Sequence, residues 1–210
     1  MHNLVGGIIL IFCCVSQLLA QSNDSPRADF FVGYSVLRTN YEAQRSLPFE
    51  PVVTAFPGKQ TLNGFNGSAT GYLKRGFGLT ADFSGHYTTN IIHGFNGDIK
   101  TNVRSFNILG GSQYKFNNKS RAVPFVRALA GVAHTRSILN DSRNNFTETN
   151  SSTDLALALG GGLDVRVNRR LDVRVFQADY NPVFLRRSNE FGFGNTRGDN
   201  IRFSFGLVFR

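Results

Sequence analysis

The feature that most constrains this chain is two-residue alternation of apolar and polar side chains, clearest at the C-terminus. Ile201, Phe203, Phe205, Leu207 and Phe209 share one parity; Arg202, Ser204, Gly206 and Val208 share the other. Successive side chains of a strand point to opposite faces, so the pattern predicts a strand with one strongly apolar face. The run from Leu155 to Asn168 repeats it. Leucines, valines and Gly161 hold the odd positions, and Ala156, Ala158, Gly160, Gly162, Asp164, Arg166 and Asn168 hold the even ones. Further strands are predicted at Leu79 to Thr88, Ser105 to Phe116 and Leu171 to Val175, and less regular ones at Phe30 to Leu37, Asn63 to Lys74 and Pro124 to Arg136. That makes about eight, and little helical periodicity competes with them.

The connections alternate in length. Long ones run from Thr39 to Thr61, Thr89 to Thr101, Ile138 to Thr153 and Asn181 to Gly198. Short ones centre on Arg75–Gly76–Phe77, on Asn117 to Ala122 and on Asn168–Arg169–Arg170. Tight turns at one end and exposed loops at the other are expected of a closed antiparallel barrel that crosses a membrane. The fold class expected is therefore all-β, a closed eight-stranded antiparallel transmembrane barrel with both termini on the short-turn side.

Alternation alone does not say which face points outward. A soluble, lipocalin-like ligand-binding barrel hides its apolar face, whereas a membrane barrel shows it to lipid. Three features favour the membrane. The polar face is rich in small residues, as a narrow lumen requires. It also carries charges of both signs, at Lys74, Asp82, Lys115, Arg127, Asp164, Arg166, Asp172, Arg174 and Arg202. Such charges can pair across a lumen, while the apolar parity is nearly free of charge, as hydrocarbon demands. Phe and Tyr at strand ends, including Tyr87, Tyr114, Phe116 and Phe209, supply interfacial girdles in a chain without Trp.

The N-terminal run from Leu4 to Leu19 ends at Ala20 and predicts a secretory signal peptide over residues 1–20, leaving 21–210 as the barrel domain. The run falls short of the ~20 residues that a spanning helix needs. Cys13 and Cys14 lie within it, so the exported domain has no disulfide or thiolate chemistry. The net charge of +9 has no basic helix or compact tract behind it, so no nucleic-acid partner is expected. Basic residues sit at the predicted rims: Lys74, Arg75, Lys119, Arg121, Arg169 and Arg170 at one end, Arg186, Arg187 and Arg197 at the other. Lipid phosphates are their natural counter-ions.

The stretches NGFNGSATGYLKRGFGLTADFSGHY (Asn63 to Tyr87), VPFVRALAGVAHT (Val123 to Thr135) and LALALGGGLDVRVNRRLDVRVFQADY (Leu155 to Tyr180) resemble the OmpA-like outer-membrane β-barrel domain. More narrowly they resemble its small stand-alone versions in soil bacteria such as the Acidobacteria. The terminal NIRFSFGLVFR is similar to the last strand of such barrels, which closes on an aromatic residue read by the outer-membrane assembly machinery. Phe209 occupies that place, and Arg210 after it departs from the pattern. The resemblance implies residence in the cell outer membrane and contact with its lipid, including lipopolysaccharide. A monomer is expected, and no tether to the cell wall, since the resemblance ends with the last strand.

Chemistry is scarce. Asp82, Ser84 and His86 share one face of one strand, but residues two apart lie roughly 7 Å from each other, too far for a nucleophile-to-base hydrogen bond. The compact His-x-Ser motif of barrel-type lipid-modifying enzymes is absent. No spacing of His and carboxylates predicts a metal site, and the glycine triplet Gly160–Gly161–Gly162 lies within a strand, where it relieves crowding. No catalytic, cofactor-binding or metal residue is assigned. The expected role is structural or interaction-based. A narrow pore for small solutes, a lipid-modifying outer-membrane enzyme and a soluble lipocalin-like barrel are the alternatives.

Overall fold

The computed structural model describes residues 28–40, 59–74, 76–94, 97–116, 120–141, 146–184 and 197–210. The predicted signal peptide lies outside them, as do Arg75, Lys119, Arg186 and Arg187. The strands are β1 (Ala28–Asn40), β2 (Lys59–Lys74), β3 (Phe77–Gly94), β4 (Gly97–Lys115), β5 (Ala122–Asp141), β6 (Phe146–Arg166), β7 (Leu171–Tyr180), β8 (Val183–Phe184), β9 (Arg197–Gly198) and β10 (Ile201–Phe209).

Eight of them close a ring in the order β1-β2-β3-β4-β5-β6-β7-β10, with β10 pairing back onto β1. Every pairing is antiparallel, so no edge of the sheet is left open within the ring. The two-residue strands β8 and β9 pair with each other, and β8 also pairs with β6, continuing the wall past the ends of β7 and β10.

The short turns and both described chain ends gather at one mouth. Gly76 takes a left-handed φ of 88°, which the β2–β3 turn needs and which a side chain would strain. The Asn168 side chain accepts a hydrogen bond from the Arg170 amide at 2.8 Å, and the Arg210 amide donates to the Arg170 carbonyl at 2.9 Å. The connections at the other mouth differ from expectation. Two of the four segments read as loops, Thr89 to Thr101 and Ile138 to Thr153, are mostly strand: β3 and β4 pair up to Gly94 and Gly97, and β5 and β6 up to Asp141 and Phe146. Their Thr, Ser and Asn are polar on both parities because both faces meet water there, while the backbone ladder simply continues.

The faces are as predicted. Phe203 and Phe205 are 51% and 54% exposed, whereas Arg202, between Ile201 and Phe203 on β10, is fully buried inside the ring. The outward apolar band runs from Phe77 to Tyr87 on β3 and from Tyr114 to Phe106 on β4. Ten steps of strand cover about 34 Å, and a tilt of about 35–45° reduces this to about 24–28 Å, the height of a hydrocarbon slab. The aromatic pairs Phe65–Phe83 and Tyr114–Phe116, with centroids 5.6 and 4.9 Å apart, reinforce this belt.

Candidate functional site

The alternation that turns apolar side chains to lipid drives the polar ones into the narrow interior of an eight-stranded barrel, where buried polar groups need partners. They do so in two knots. In the upper one, Arg127 on β5 grips Asp179 on β7 through two bonds, Nε to Oδ1 at 2.8 Å and Nη2 to Oδ2 at 2.5 Å. Its third nitrogen donates to Asp82 on β3 at 3.0 Å. Arg202 on β10 answers from across the ring, donating to Asp82 at 2.8 Å and to Asp179 at 3.2 Å. Two carboxylates meet two guanidiniums, and all four side chains are fully shielded from solvent.

The lower knot sits toward the short turns. Lys115 on β4 reaches Asp29 on β1 at 2.6 Å, Asp164 on β6 at 2.9 Å and Asp172 on β7 at 3.7 Å. Arg174 pairs with Asp164 at 2.8 Å, its guanidinium flanked by the Phe125 and Phe31 rings at 4.1 and 4.4 Å. Arg210 completes the set, donating to Asp172 at 3.3 Å. Three carboxylates thus face one ammonium and two guanidiniums. The residue that departs from the aromatic-terminated pattern is therefore a member of the plug, folded back into the mouth of the lumen. Tyr72 donates to Asp29 at 2.9 Å and accepts from Gln113 at 3.0 Å.

Gln177 joins the knots. Its carbonyl accepts from Arg174 at 2.7 Å, and its amide donates to Asp179 at 2.8 Å and to Asn66 at 3.3 Å. A β-bulge makes this possible. On β7, Arg174 faces inward, Val175 and Phe176 both face outward, and Gln177 faces inward again, while β6 and β10 each skip one register step. Opposite the bulged segment, Gly160 and Gly162 clear the space. A Cβ on Gly160 would meet Asp179 Oδ1 at 2.5 Å, and one on Gly162 the Phe125 ring at 2.9 Å.

Of the lumen charges expected from sequence, Asp82, Lys115, Arg127, Asp164, Asp172, Arg174 and Arg202 are in the knots. Arg166 is half-buried at the lower mouth, and the Lys74 side chain lies outside the described residues. Asp29, Gln177 and Asp179 were not anticipated. Asp29 precedes the expected first strand, and Gln177 and Asp179 follow a bulge that no periodicity announces.

The Asp82, Ser84 and His86 set is not assembled as a triad. His86 Nε2 bonds Ser35 at 2.9 Å rather than Ser84, whose hydroxyl accepts from Arg202 at 2.8 Å and Asn107 at 3.2 Å. His134 faces outward and bonds Thr153 at 2.8 Å. Among the described residues no three His, Cys, Asp or Glu group to hold a metal. Near the upper mouth Asp199 accepts from the Tyr180 hydroxyl and from Arg197, and these bonds, Tyr180's foremost, hold its carboxyl below the usual carboxylate range.

The family model described as outer membrane protein beta-barrel domain matches residues 8–209. Among solved structures, the attachment invasion locus protein Ail of Yersinia pestis is similar over 89% of this chain and 99% of its own, with a TM-score of 0.55 at 13% identity. Neisserial surface protein A gives the same coverages and identity with a TM-score of 0.50. A sequence comparison with curated proteins returns no match.

Proposed function

The chain belongs to the outer membrane protein β-barrel domain family and resides in the cell outer membrane; on that premise we propose that it is a sealed, non-catalytic scaffold. It braces the envelope and works through its outward surface. The upper knot carries this reading, because four fully buried, mutually neutralised side chains from β3, β5, β7 and β10 close the lumen. An ion entering there would have to displace partners that are costly to leave unpaired. Outer-membrane lipid, including lipopolysaccharide, is the surrounding partner, and β10 is the strand offered to the assembly machinery. The barrel acts as a monomer.

Planar-bilayer recording of the purified barrel tests the seal. The expected result is no unitary current steps for the unmodified protein and noisy steps once Arg127 and Arg202 are both replaced by Ala. Stable steps from the unmodified protein refute a sealed scaffold. A deletion strain tests the envelope role, with the expected outcome a raised sensitivity to detergents and large antibiotics.

A further inference from the structure

Beyond the apolar band, β3–β6 continue as a wall whose outward side chains fall in registered rows. The row Phe83–Ile108–Val132–Leu155 is apolar throughout. Next comes Gly85–Phe106–His134–Thr153, and the row beyond it is Tyr87–Arg104–Arg136–Ser151. Arg104 and Arg136 are therefore direct cross-strand neighbours, with Cα atoms about 4.5–5.5 Å apart, an arrangement that like charges disfavour. Both are exposed, and neither has a carboxylate partner among the described residues. The nearest acid of the same parity on β4 is Asp98, six residues away at the hairpin end, whereas Lys100 adds a third cation on the Arg104 face.

We propose that Arg104 and Arg136, flanked by Tyr87 and Ser151, form a binding site for the phosphate of an outer-leaflet lipid headgroup. The inference rests on the membrane residence of the barrel and adds a specific partner site to the scaffold reading. Three observations lead to it. The pair lies one pleat beyond Phe106 and His134, at the level where acyl chains give way to headgroups. Two guanidinium forks side by side match a phosphate's oxygens and remove the like-charge conflict. Exposed Tyr87, one strand away in the same row, gives the lipid an amphipathic flank. A soluble polyanion would not require the site to sit at the edge of the apolar band.

The test uses the full barrel domain refolded into phosphatidylcholine vesicles containing one part in ten of bis-phosphorylated lipid A. Parallel vesicles carry dephosphorylated lipid A, and a third set is phosphatidylcholine alone with dextran sulfate in the buffer. Lipid A retained after exchange into detergent is quantified for the unmodified protein, for Arg104→Gln/Arg136→Gln, and for a control at the same mouth, the exposed Arg38→Gln on β1. The expected result is phosphate-dependent retention that falls about tenfold or more in the first variant and is unchanged in the control. Equal retention by the unmodified protein and the first variant overturns the site. So does binding of dextran sulfate that needs both arginines without any preference for phosphorylated lipid A. Failure of the unmodified barrel to fold into phosphatidylcholine alone would instead strike at the membrane-barrel premise.

Discussion

Replacing Asp179 by Ala removes the most connected acceptor of the plug. Its two oxygens receive two bonds from Arg127, one from Gln177 and one from Arg202. After the change, Arg127 and Arg202 share Asp82 alone, and one uncompensated positive charge remains fully buried. Breaking a buried pair in this way costs about 3–5 kcal/mol, a hundredfold or more in the folding equilibrium. Removing Arg127 as well, as Asp179→Ala/Arg127→Met, leaves a neutral Arg202–Asp82 pair, so the double variant recovers about 1–3 kcal/mol of that loss. The assay is urea unfolding in phospholipid micelles followed by far-ultraviolet circular dichroism and by gel mobility without boiling, since the chain has no Trp to report by fluorescence. A single variant within about 1 kcal/mol of the parent refutes the argument, as does a double variant no better than the sum of its singles.

Deleting Val175 should be tolerated, because it removes the extra residue of the bulge and keeps Gln177 and Asp179 facing inward. Deleting Ala178 turns Asp179 outward, and mobility that shifts on boiling should survive the first deletion and vanish with the second. Gly160→Val places methyl groups against Asp179 and the β7 backbone, with an expected loss of about 2 kcal/mol or more in the same urea titration. Tyr72→Phe removes one bond to Asp29 and one from Gln113; a loss near 1–3 kcal/mol is expected, and no change at all would mean that this end of the lumen is hydrated.

Much of the barrel is legible because hydrocarbon and lumen impose opposite demands on adjacent residues. Leu79 to Thr88 and Leu155 to Asn168 record those demands directly. Legibility ends where the environment stops differing between the two faces. Above the band both faces are wet, so the strand from Ile138 to Asp141 and the one from Phe146 to Thr153 read as loop. It also ends at Val175 and Phe176, where two apolar neighbours conceal a change of phase and so remove Asp179 from view. The Arg104–Arg136 pair was invisible for a third reason. Each residue sits at the margin of a predicted strand, and only the β4–β5 register brings them side by side. Partners in the lumen obey the same limit: Lys115 and Asp29 are 86 residues apart, and nothing local couples them.

Every strand of the ring contributes to the plug: Asp29, Asn66, Asp82, Lys115, Arg127, Asp164, Asp179 and Arg202 come from β1 to β7 and β10 in turn. A sheet missing one strand would hold polar or charged groups with no counterpart and an open edge that hydrocarbon cannot solvate. Closure of the ring and neutralisation of its interior are thereby coupled, and the strand that closes the ring onto β1 is the one that discharges the upper knot. Arg202, on that strand, bonds both carboxylates of the upper knot. The plug thus works as a built-in proof of completion, since a barrel assembled without β10 in register leaves Asp82 and Asp179 to share Arg127 alone, one buried negative charge in excess.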